Sequence, residues 1–112
     1  MLTIEALKTF GADTGDGLKR CLDNEAFYLK LVGKALEDKN FDMLEEAVAA
    51  GDLDNAFEAA HSLKGVLGNL ALTPIYKPVY DITELLRART DTDYTSLIRE
   101  ISDKREQLVR LM

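Results

Sequence analysis

Residues 52–70, Asp52 to Leu70, read DLDNAFEAAHSLKGVLGNL, and the apolar positions Ala56, Ala60, Leu63, Leu67 and Leu70 recur at steps of four, three, four and three. That is the period of a helix that buries one stripe, and it predicts a helix packed inside a bundle. Gly51 in front of it is a helix stop, and Asp52 can cap the new helix with its carboxylate. Downstream, Thr73-Pro74 reads as an N-cap with a first-turn proline. Pro78, one turn further, forfeits a backbone hydrogen bond and predicts an irregular or bent start. Val79, Ile82, Leu85 and Leu86 give this helix its apolar face to about Ala88. Asp91 to Asp93 supply a loop and a cap, and Leu97, Ile101, Leu108 and Leu111 form the seam of a last helix.

Upstream, Ile4, Leu7, Lys8 and Phe10 predict a short first helix stopped near Gly11. Asp13 to Gly17 reads as loop or weak turn, followed by a second short helix around Leu18 to Leu22. Asp23 or Asn24 caps a longer helix with a stripe at Phe27, Leu31 and Ala35, flanked by Tyr28, Val32 and Leu36 and fading near Asn40. Phe41, Leu44, Ala47 and Val48 continue the pattern to Gly51, either after a kink or as a separate helix. Alternating strand patterns are absent. The expectation is an all-α fold, an up-and-down four-helix bundle with an additional short N-terminal helix or helices, in which residues 1–112 form a single domain.

The 112 residues are enough for one core without staples, and 46% apolar against 30% charged is a balance typical of soluble domains. No apolar run is long enough to cross a bilayer, and MLTIEALKTF lacks the basic start and apolar stretch of a signal peptide, so a cytoplasmic location and no membrane partner are the expectations. A net charge of -6 argues against a nucleic-acid partner. The single cysteine, Cys21, cannot form an internal disulfide and reads as a small buried hydrophobe. Glu45-Glu46 and Asp91-Asp93 read as solvated faces, because one histidine, no paired cysteines and no EF-hand spacing leave no metal to assign.

The chemistry gathers around the only histidine, His61. It follows Ala60, so it lies about 100° off the buried seam and should be partly exposed on the bundle's flank. Lys64, Gly65 and Gly68 at i+3, i+4 and i+7 share its side of the helix. Each mid-helix glycine costs roughly 1 kcal/mol relative to alanine, and two of them on one side are explained by the close approach of another molecule. An ordinary imidazole offers a free lone pair at neutral pH and can attack phosphorus without a triad. Lys64 is placed to neutralise phosphoryl oxygens. Phe57, one turn before His61, reads as core edge or as a contact for a partner. There is no P-loop and no kinase signature, so the phosphoryl donor must be another molecule.

His61-Ser62-Leu63-Lys64-Gly65 resembles the His-x-x-Lys-Gly core of the histidine-containing phosphotransfer (HPt) domain family. The resemblance extends through Ala49-Ala50-Gly51-Asp52 and Ala59-Ala60, over roughly Phe27 to Arg89. It implies that His61 is the phosphoacceptor, that Lys64 stabilises the phosphoryl group, and that Gly65 leaves room for a docking receiver. Gly68 matches a position usually filled by a small residue, and Asn69 fits the pattern. On the next helix Tyr80, Thr83 and Arg87 fall on one stripe. Thr83 stands where some relatives place a glutamine or glutamate that bonds the ring nitrogen, and Arg87 is a candidate to meet the phosphate.

The implied protein is a monomeric phosphoryl carrier, not a complete enzyme. It would take the group from the receiver of a hybrid histidine kinase and pass it to the receiver of a response regulator. It would need no intrinsic cofactor, a divalent cation such as magnesium belonging to the receiver's acidic pocket. Two other readings share the fold: a phosphoacceptor domain within a larger histidine kinase, and a non-catalytic helical adaptor that binds receivers.

Overall fold

Helical periodicity is realised along nearly the whole chain. The computed structural model describes all 112 residues and contains seven helices: α1 (Ile4–Phe10), α2 (Thr14–Arg20), α3 (Glu25–Leu36), α4 (Asn40–Ala49), α5 (Leu53–Asn69), α6 (Thr73–Arg87) and α7 (Thr95–Arg110). Four of them start on a side chain that accepts from a backbone N–H three residues on: Thr3, Asp13, Asn24 and Asp52. At α5 both the side-chain amide and the backbone N–H of Asn55 hold the Asp52 carboxyl below the usual carboxylate range.

Helices α4, α5, α6 and α7 each pack against the next, joined by short connections that make neighbours antiparallel, and α3 leans on α7. The bundle closes where Arg105 of α7 stacks on Phe41 of α4, 4.7 Å from the ring centre. The same guanidinium donates to the Leu36 carbonyl at 2.9 and 2.7 Å, satisfying the end of α3. Every member of the predicted α5 seam is buried, and Val79, Ile82 and Leu86 of α6 meet it across the core. Cys21 is buried as well.

The structure departs from the sequence expectations at four places and decides one open alternative. Residues predicted as loop, Asp13 to Gly17, contain the cap and first turn of α2. Packing overrides glycine's poor helix propensity there, because a Cβ at Gly17 would lie 2.6 Å from the ring of Tyr28. In α3 the buried set is Tyr28, Val32, Ala35 and Leu36, while Phe27 is exposed and Leu31 half-buried. The stripe is rotated by one position because Tyr28 turns inward, donating its hydroxyl to the Leu70 carbonyl at 2.8 Å. The ambiguous continuation to Gly51 is a separate helix, α4, begun at a turn where Asp38 accepts from the Asn40 N–H at 2.8 Å. Thr73 is the first residue of α6, not its cap; its hydroxyl turns back to the Ala71 carbonyl, and the cap position belongs to buried Leu72. Finally, Pro78 lies buried within a helix that runs without interruption from Thr73 to Arg87.

The turn between α5 and α6 places the two helices side by side. Ala71 adopts a left-handed φ of 54°, and the Leu72 N–H returns to the Leu67 carbonyl at 3.2 Å. Residues from the first third of the chain clasp this turn. The Asp13 N–H donates to the Ala71 carbonyl at 3.0 Å, Gly11 lies against Pro74, and Tyr28 holds Leu70.

The Tyr28 bond has a measurable signature. Burial first, then the charges of Cys21, Asp13 and Asp16, push the phenol from 10.0 to about 12. The folded state therefore keeps a proton that the unfolded chain releases, so this contribution to stability is complete below pH 10 and is lost as pH rises towards 12. Tyr28→Phe is expected to cost about 1 kcal/mol at neutral pH by removing the hydrogen bond. It should also flatten the fall of the urea midpoint across that alkaline range, and parallel pH profiles for the two proteins would contradict the assignment.

Candidate functional site

Midway along α5, His61 is exposed, one step round the helix from the fully buried Ala60. Its ring stacks on Phe57, one turn earlier, with centres 5.5 Å apart and planes inclined by 17°. No protein group hydrogen-bonds the imidazole, so both nitrogens are free of protein partners. Antiparallel α6 lays Tyr80, Glu84 and Arg87 along the same flank. The Arg87 guanidinium lies 5.0 Å from the Phe57 ring centre, and its Nε donates to Glu84 Oε2 at 3.1 Å. The same Glu84 oxygen is 4.0 Å from Lys64 Nζ, which in turn lies 5.5 Å from the Tyr80 ring centre. His61 and Lys64 thus share a surface in which cations are seated on aromatic rings and bridged by one carboxylate.

The two glycines on this side of α5 differ. A Cβ built at Gly65 would meet nothing within 4 Å, so this stretch of backbone is bare to solvent. A Cβ at Gly68 would lie 2.9 Å from Cε1 of Tyr76 on α6. Gly68, read from sequence as space for a partner, is already filled from within the bundle, and its smallness lets α5 and α6 approach. Beyond it an open cleft of about 540 Å³ runs from Lys64 and Gly65 past Gly68 and Asn69 to Asp16 and Arg20 of α2. Asn69 accepts from Arg20 there at 3.4 Å.

Of the residues singled out from sequence, the fold gathers Phe57, His61, Lys64, Gly65 and Arg87 on one flank, with Gly68 and Asn69 further along α5. Thr83 is not among them. It is fully buried, and its hydroxyl donates to the Val79 carbonyl at 2.6 Å, so it has no bond to offer the imidazole. The exposed stripe of α6 is Tyr80, Glu84 and Arg87. Steps of four and three describe a helix face as well as three and four do, so spacing alone cannot choose Glu84 over Thr83. The distinguishing signal is charge: Glu84 is the acid on α6 able to reach cations on both helices. No three of the chain's His, Cys, Asp and Glu side chains converge as a metal site would need, and no helix is long and apolar enough to cross a membrane.

The family model for the Hpt domain matches residues 34–111, well over half of the chain. The chain belongs to the Hpt domain family. The match begins within α3 and continues through α7, beyond the Arg89 to which the sequence resemblance extends. No curated protein and no solved structure matches the chain. Membership implies phosphotransfer in two-component signalling, by phosphocarrier modules that interact with receiver domains.

Proposed function

We propose that this protein is the histidine phosphotransfer intermediate of a multistep phosphorelay, carrying a phosphoryl group on His61 between the aspartates of two receiver domains. The observation that carries this reading is the exposed, unbonded imidazole of His61, held on a long packed helix with Lys64 one turn away and bare Gly65 backbone beside it. A ring nitrogen attacks the phosphorus of an aspartyl phosphate. The N–P bond forms, the P–O bond to the aspartate breaks and the carboxylate leaves with the electron pair, while the second ring nitrogen keeps its hydrogen. The reverse step delivers the group to another receiver. Lys64 neutralises the phosphoryl oxygens, and Gly65 lets the receiver's backbone come close. We assign any divalent cation used in the transfer, such as magnesium, to the receiver's acidic pocket. The partners are the receivers of a hybrid histidine kinase and a response regulator, in the cytoplasm, met by this protein as a monomer.

The test is to mix the protein with phosphorylated receiver domains and look for acid-labile, base-stable phosphate at His61. Incorporation there supports the relay. No label across a broad panel of receivers, nor with a separately supplied kinase domain, would favour a non-catalytic adaptor. In the same assay Lys64→Ala is expected to slow uptake roughly tenfold, the size of one lost charge-assisted bond, with little change in unfolding midpoint. An unchanged rate would remove Lys64 from the mechanism.

A further inference from the structure

Both cations near His61 are engaged by one acid. Glu84 Oε2 lies 3.1 Å from Arg87 Nε and 4.0 Å from Lys64 Nζ, and the Lys64 side chain is only 22% exposed. Partial burial leaves the Lys64 contact less screened than a pair in open solvent. Each cation also rests on a ring, Lys64 on Tyr80 and Arg87 on Phe57, and Phe57 stacks on His61. Phosphohistidine oxygens would bring negative charge to this surface and draw on the same two cations. A step by Lys64 towards them leaves Glu84 behind.

Resting on the phosphotransfer reading above, we propose that Glu84 is a positioning residue which competes with the phosphoryl group for Lys64 and Arg87, and so sets how readily His61 accepts phosphate. It acts through the cations and does not touch the reacting atoms. With Glu84 in place the positive potential beside the imidazole is partly cancelled, so phosphate is held loosely enough to leave again. Without it the cations are released to the incoming anion.

A small phosphoryl donor, phosphoramidate, tests this without any receiver. A ring nitrogen attacks its phosphorus, the P–N bond breaks, and ammonia departs after taking up a proton from solvent. Glu84→Gln is isosteric and uncharged, and it is expected to speed phosphorylation of His61 about two- to fivefold at low salt, the range of a partly exposed ion pair. The gain should shrink in high salt, be absent in Glu84→Asp, fall when Lys64→Ala is added and vanish when Arg87→Ala is added as well. Loss of a purely structural contact would not show that dependence on Lys64 or on salt. Equal rates for Glu84→Gln and wild type, or a gain that persists in full without Lys64, would overturn the proposal and leave the function standing. Wild-type protein that takes phosphate neither from phosphoramidate nor from receivers would overturn the function, and this proposal with it.

Discussion

Replacing His61 with glutamine is expected to abolish acid-labile phosphate uptake while lowering stability by no more than about 1 kcal/mol. The two effects separate because of where the ring sits. His61 is exposed, has no hydrogen bond within the protein, and contributes to packing only through its stack on Phe57. Glutamine is the better helix former, which offsets part of the lost stacking. Its amide has no lone pair of imidazole's nucleophilicity, so uptake should fall to background and not merely slow. Radiolabel retention after base treatment, read beside a urea melt, checks both halves. Label persisting in the variant would place the acceptor elsewhere in the chain; a collapsed melt would mean that the histidine serves the fold.

The second large effect is expected from leucine at the two glycines of α5, with opposite consequences. Gly68→Leu drives a side chain into Tyr76, where even a Cβ would be 2.9 Å from the ring, and should cost about 1–3 kcal/mol or more as α5 and α6 are pushed apart. At Gly65 a Cβ meets nothing within 4 Å, and Gly65→Leu removes a mid-helix glycine, so it should be neutral or stabilising by up to about 1 kcal/mol. Its cost falls on docking: receiver-dependent phosphorylation should drop at least roughly tenfold, the equivalent of about 1.4 kcal/mol of lost association. Uptake from phosphoramidate should stay intact. Denaturation curves and the two phosphorylation assays on both variants decide it. Equal stabilities would contradict the packing at Gly68, and undiminished transfer from receivers to the Gly65 variant would contradict close approach.

Where burial keeps to a repeating step, the sequence is sufficient. The α5 seam can be read residue by residue because each apolar position faces the core, and His61 can be placed on the flank because it comes directly after Ala60. The glycines are harder to separate. Gly65 and Gly68 lie on the same side of one helix, and only the position of Tyr76, fixed by the α5–α6 turn, distinguishes an open space from an occupied one. Glu84 escapes a reading of the sequence for a related reason. Its significance depends on cations from two helices meeting one oxygen, a tertiary arrangement that no single-helix pattern contains. The start of α2 reads as loop because its glycines are poor helix formers in isolation, and the demand that makes Gly17 necessary comes from Tyr28.

The clasp over the α5–α6 turn separates two kinds of constraint. Gly11, Asp13 and Tyr28, which fasten Pro74, Ala71 and Leu70, and Gly17, which lies against the Tyr28 ring, all precede the span shared with the family, and none of them belongs to the flank formed by Phe57, His61, Lys64, Gly65, Glu84 and Arg87. A substitution in the first set acts on how firmly the helix pair is anchored and removes none of the groups at the imidazole. Durability and reactivity therefore draw on different side chains: tightening the clasp hardens the fold against heat through residues that never meet the phosphoryl group.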